Sequence, residues 1–137
     1  MLVYWLGRSP NRRLAQFVRS GDITKTYNLI IYNYLKNKAM KKTNKSSNGT
    51  SFHSVVIKST IDKLTKVLGE PDYVDNSGED KVNYSWDLET NEGDVVTLYT
   101  WKEYRPIEVD EEIEFHIGGM RRNHTILGKQ ELTELLK

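Results

Sequence analysis

Between Lys81 and Glu89 polar and apolar side chains alternate without interruption: Val82, Tyr84, Trp86 and Leu88 against Lys81, Asn83, Ser85, Asp87 and Glu89. Successive side chains of a strand point to opposite sides, so this segment specifies a β-strand with one wet face and one buried face. A buried face needs a cover, and a strand needs neighbours. Asn91, Glu92 and Gly93 predict a hairpin turn into a second strand, Val95 to Trp101. Val96 and Leu98 fall on one side of it; Val95, Thr97, Tyr99 and Trp101 fall on the other. Glu112 to Ile117 predicts a third strand, with Ile113, Phe115 and Ile117 inward and Glu112, Glu114 and His116 outward. Gly118 and Gly119 are expected to end it.

The cover comes from two predicted helices. Ser59 or Thr60 offers an N-cap, Asp62 sits in the first turn, and Ile61, Leu64, Val67 and Leu68 form an apolar stripe that Gly69 and Pro71 terminate. A short strand, Ser54 to Lys58, precedes it. A last helix is expected from His124 to Leu136, carrying Leu127, Leu132, Leu135 and Leu136, with Gly128 as its weak point. The expected fold of residues 51–137 is α+β, in the order β-α-β-β-β-α: an antiparallel sheet with two helices on one face. The opposite face, bearing Tyr99, Trp101, Glu114 and His116, is left open.

With 137 residues the chain has room for one such domain and a tail. The charge divides the same way. Residues 1–45 hold ten Lys/Arg against the single acid Asp22, a net of +9, whereas residues 46–137 hold ten against eighteen, a net of −8. The chain reads as a basic N-terminal arm and linker, residues 1–50, on an acidic domain. Within the arm, Ile23, Tyr27, Ile30, Ile31, Tyr34 and Leu35 trace one face of a helix over 22–38, with Asp22 or Thr24 as its cap, although the β-branched content also suits a strand. Lys41 to Thr50, rich in Ser, Asn and Gly, reads as a flexible linker. Three readings of the arm stand side by side: an organellar targeting peptide, a nucleic-acid-binding arm, or an upstream extension. In the third, Met40 is the natural initiator, residues 1–39 are untranslated, and Leu2 to Pro10 resembles the conceptual translation of a transfer-RNA gene. No run approaches the roughly 20 apolar residues of a membrane span, so insertion is not expected.

Two resemblances follow from these residues. The unit Ser59 to Leu98, with its Leu68-Gly69-Glu70-Pro71 helix exit, Tyr84, Trp86 and the Gly93 turn, resembles the helix-plus-sheet repeat of the β-lactamase-inhibitor-protein and small barrel-assembly-lipoprotein group. This chain departs from that group in lacking both a lipoprotein cysteine and a second repeat. The longer string from Phe52 through Leu68-Gly69-Glu70-Pro71, Val82, Trp86, Tyr99-Thr100-Trp101-Lys102 and His116-Ile117-Gly118-Gly119 resembles small accessory proteins of tailed phages and other DNA viruses. That resemblance implies a viral origin, an α+β fold and a place in the host cytoplasm; it brings no activity with it.

The chemistry the chain lacks is informative. Without cysteine there are no disulfides, thiolate nucleophiles or Cys-based metal sites. The three histidines, His53, His116 and His124, show no metal-ligand spacing. A two-histidine phosphoesterase needs a hydroxyl two residues after each histidine, and Val55, Gly118 and Ile126 stand there instead. No catalytic residue, metal or cofactor is expected. Two constellations remain. Gly118, Gly119, Arg121, Arg122 and His124, between a strand and a helix, suit a small anion or nucleotide if the glycines free their N–H groups. Tyr99, Trp101, Lys102, Glu112, Glu114 and His116 put aromatics and an acidic rim on the open sheet face, which suits a protein interface. The leading expectation is a non-enzymatic viral accessory module that binds a host or viral protein through that face. The alternatives are an anion or nucleotide binder, conceivably hydrolytic, using His116 and Arg121, and nucleic-acid contact through the basic arm.

Overall fold

In the computed structural model, residues 23–38 and 40–137 are described. They fall into two units, a helix and a sheet domain. The helix, α1, spans Ile23–Lys38, so the helical pattern prevails over the strand alternative and Thr24 lies inside the helix instead of capping it. The readings of residues 1–22 lie outside the described residues. No described helix is long and apolar enough to cross a membrane.

The domain is α+β. Its strands are β1 (Lys41–Lys42), β2 (Ser51–Ser59), β3 (Tyr73–Val74), β4 (Tyr84–Glu89), β5 (Val95–Tyr99) and β6 (Ile113–Gly119); its helices are α2 (Ile61–Leu68) and α3 (Arg122–Leu135). All pairings are antiparallel, in the order β1-β4-β5-β6-β2, with β3 also on β4. The predicted order is present, with two short strands added.

Local chemistry explains the secure elements. Thr60 caps α2 by accepting the Lys63 N–H, a contact typically worth about 1 kcal/mol. Gly69 ends the helix at φ +90°, a conformation other residues rarely adopt, and its carbonyl accepts the Trp86 Nε1–H at 2.9 Å. The helix exit is thereby tied to the middle of the sheet. Trp86, Leu88, Leu98, Phe115 and Ile117 build the inner face, and Leu64 and Leu132 close over it from α2 and α3. Full burial of such a side chain contributes roughly 1.5–3 kcal/mol. Gly128 is less a weak point than a close approach: a Cβ there would stand 3.3 Å from Met40 Cε and 3.4 Å from Val96 Cγ2.

Three expectations are corrected. Residues 40–50 are part of the domain and not a linker, because Met40 is buried in the core and Lys41 and Lys42 pair with Glu89 and Leu88. The next residues then cross from one edge of the sheet to the other as a strap, held where Lys45 Nζ meets the Gly93 carbonyl at 3.0 Å and Glu89 at 3.2 Å. Gly118 and Gly119 continue β6 instead of ending it, registered between Thr97 and Val96 on one side and Phe52 and Ser51 on the other. The last helix accordingly starts at Arg122, two residues before His124.

Candidate functional site

The two helices of the domain, α2 and α3, both lie on the inner side of the sheet. On the other side the register sets side chains in two rows across four strands. One row runs Ser85, Tyr99, His116, Val56; the next runs Asp87, Thr97, Gly118, Phe52. Gly118 is the gap in the second row. A Cβ there would stand 2.5 Å from Thr97 Oγ1 and 3.5 Å from Tyr99 Cε1. Phe52, opposite that gap, stacks on His116 with centroids 4.0 Å apart and planes 13° from parallel.

His116 is the centre of an aromatic cluster. Tyr99 meets it edge-on at 5.5 Å, and Trp101 lies 6.2 Å away at 30°. Tyr99 and Trp101 also meet edge to face at 6.0 Å. Burial among these rings pushes the His116 imidazole below its ordinary pKa, against a smaller upward pull from Glu114, and burial also raises that of the Tyr99 phenol. A neutral imidazole is the form that stacks without a desolvation cost. Trp101, 38% exposed, carries Lys81 Nζ at 5.9 Å and Lys102 Nζ at 5.7 Å from its ring centroid, within the range of cation–π attraction.

Trp101 stands outside the strand predicted for it and begins, with Lys102, the loop that leads to β6. The backbone there is unusual: Lys102 and Tyr104 take φ of +56° and +53°. Such conformations cost on the order of 1–3 kcal/mol each and persist only when the surroundings impose them. The surroundings here are specific. Lys102 N–H donates to the Lys81 carbonyl at 2.7 Å. Fully buried Asn83 donates through Nδ2 to the Arg105 carbonyl and to Asn76 Oδ1. Asn76 in turn accepts the Ile107 N–H at 2.8 Å and donates to the Ile107 carbonyl at 3.0 Å. Arg105 grips Glu111 through both guanidinium nitrogens, at 2.9 and 2.5 Å. The loop that presents Trp101 is therefore pinned to the turn before β4.

Among the predicted interface residues, Tyr99, Trp101 and His116 come together. Glu114 is exposed on the same face, in register with Lys58 of β2. Glu112 is exposed just before β6 begins. Beside Tyr99 the face holds a shallow depression of about 620 Å³ lined by Tyr73, Asp80, Asp87 and Thr97 among others. Phe52 was not foreseen. A bulge between Phe52 and Val55, with Ser54 at φ +65°, adds two residues and so keeps Phe52 on the open side.

The predicted anion residues do not converge. Gly118 and Gly119 sit in a central strand, where N–H and C=O groups serve the ladders on either side, so the free donors an anion loop needs are missing. Arg121 is exposed at the N-cap of α3 and makes no side-chain cap bond. Arg122 reaches the His53 carbonyl at 3.4 Å, and His124 faces Asp94 at 3.6 Å. Among the described residues no group of three His, Asp or Glu could hold a metal ion.

Compared with known proteins, the chain matches no family model, and neither a curated protein nor a solved structure resembles it significantly.

Proposed function

We propose that this chain is a non-enzymatic binding module that contacts a protein partner through its open sheet face. The observation that carries the proposal is the cluster of Phe52, Tyr99 and Trp101 around His116, partly exposed on the sheet face opposite α2 and α3. Aromatic anchors held in fixed positions are the residues that dominate binding energy at protein interfaces, because they bury large area at small entropic cost. The pinned loop supplies the rigidity. Glu112, Glu114, Asp80 and Asp87 form the rim, in keeping with the net −8 of residues 46–137, and direct the face toward a basic partner. The resemblance to small phage and viral proteins belongs to the same proposal and sets the module in a host cytoplasm as an accessory factor.

The test is native mass spectrometry of the full chain captured gently from expressing or infected cells, beside Phe52→Ala, Trp101→Ala and a control, Lys66→Ala, on exposed α2 surface. The expected result is one protein subunit retained by the wild type and the control and lost by both aromatic variants. Folded aromatic variants that keep every partner overturn the proposal.

A further inference from the structure

The two lateral edges of the sheet are finished differently. The outer edge of β4 is closed along its length: β3 pairs with Tyr84 and Ser85, and β1 with Leu88 and Glu89. Between them the Asp87 carbonyl accepts the Thr43 N–H at 3.1 Å, and the Asp87 N–H donates to Asp72 Oδ2 at 2.7 Å. The opposite edge is β2, which among the described residues pairs only with β6. Its regular run, Val55 to Ser59, directs alternate N–H and C=O groups away from β6. An edge left in that state is a template for a further strand. Alongside it a groove of about 530 Å³ separates Ser54, Val55 and Val56 from the outer side of α3, where Ile126 lies between Arg122 and Glu134.

We propose that a second copy of this chain fills this groove, joining β2 to β2 antiparallel across a two-fold axis. The charge pattern of α3 selects a second copy over a foreign strand. A two-fold axis level with Gly128 sets Arg122 of one copy against Glu134 of the other, and does so twice, because both residues stand equally far from Gly128 along the helix. The same operation sets Ile126 against Gln130. A stripe basic at one end and acidic at the other is complementary to itself under that rotation, as a contact between identical surfaces requires. Neither charge is strongly committed within the monomer. Glu134 meets Lys137 at 2.7 Å with both side chains mostly in solvent, and among the described residues Arg122 has only the long bond to the His53 carbonyl. Lys129, also on the groove, lies beside the axis, where it approaches its own copy; this one like-charge contact opposes the pairing, and the two Arg122–Glu134 contacts must outweigh it. The bulge ending at Val55 limits the new ladder to the regular run.

The test is the solution mass of the full chain by light scattering and sedimentation, with Arg122→Glu and Glu134→Arg. Both substitutions place the new charge where the helix dipole favours it, so folding is preserved. The wild type is expected at twice the chain mass, each single variant at half of that, and an equimolar mixture of the two variants again at the doubled mass, since only the mixed pair opposes unlike charges. The double variant R122E/E134R is expected to pair like the wild type. A monomeric wild type, a doubled mass in both single variants, or a mixture that stays monomeric overturns the proposal. A monomer that holds a foreign polypeptide and loses it with E134R assigns the groove to another protein, and also overturns it.

Discussion

Phe52 is registered opposite Gly118, yet its ring lies on His116, one position along the same face of β6, with centroids 4.0 Å apart. Gly118 leaves the row open between Phe52 and Thr97, and Thr97 Oγ1 and Tyr99 close in on that space. A side chain at Gly118 would have to displace one of them.

Gly118→Ala places a Cβ against Thr97 Oγ1 at 2.5 Å. Overpacking of this kind typically costs about 1–3 kcal/mol. Urea unfolding should show that loss, and Thr97→Ala, by removing the opposing oxygen, should recover much of it in the double variant. A purely additive pair would mean that the contact is not the cause.

His116 sets a pH dependence whose sign follows from its environment. Its folded pKa is depressed by burial, so the unfolded chain takes up the proton more readily than the native one. The contribution to stability is present above the ordinary imidazole pKa and is lost as pH falls through that value toward the folded one. Unfolding free energies across that window should decline less in His116→Phe than in the wild type, and the His116 ring protons should titrate with a midpoint below the ordinary value.

The two tryptophans of the sheet region should separate stability from binding. Trp86 is fully buried and bonded to the Gly69 carbonyl, so Trp86→Ala should cost about 3–5 kcal/mol. Trp101 is 38% exposed, and its truncation should stay within about 1 kcal/mol of the wild type while abolishing partner capture. Thermal unfolding of both variants checks the contrast.

Asn76 makes two side-chain bonds to the Ile107 backbone and accepts a third from Asn83. Asn76→Ala leaves buried groups unpaired, at about 1–3 kcal/mol. Amide exchange should accelerate at Ile107 and Lys102, and indole fluorescence of Trp101 should report the loosened loop.

Much of this architecture is legible in the sequence where local chemistry acts alone. Thr60, Leu64 and Gly69 mark α2 without help from the rest of the chain, and the alternation through Trp86 marks β4. The misses are set by distant contacts. Lys41 and Lys42 carry no strand signal of their own, and only the unpaired edge of β4 makes them a strand. Gly118 and Gly119 look like a turn because glycine usually serves turns; here the crowding of Thr97 and Thr125 accounts for them inside a strand. The open face was readable for Tyr99 and His116, which obey the period of two. Phe52 lay beyond the short strand predicted from Ser54 to Lys58, and its contact with His116 depends on a bulge that no local signal announces.

The strap that carries the chain from β1 to β2 also has a kinetic meaning. The β4–β5 hairpin closes over a turn of a few residues, whereas Thr43 reaches Glu89 across 46 positions of sequence. Loop closure at that distance must await a sheet already in place, and topologies dominated by such pairings assemble slowly. By this measure the hairpin forms early, β1 joins it later, and β2, which must reach β6 from Ser51 to Gly119, closes across a longer stretch still. A nascent chain therefore carries β1 without its partner until Glu89 has emerged, and β2 without its partner until Gly119 has.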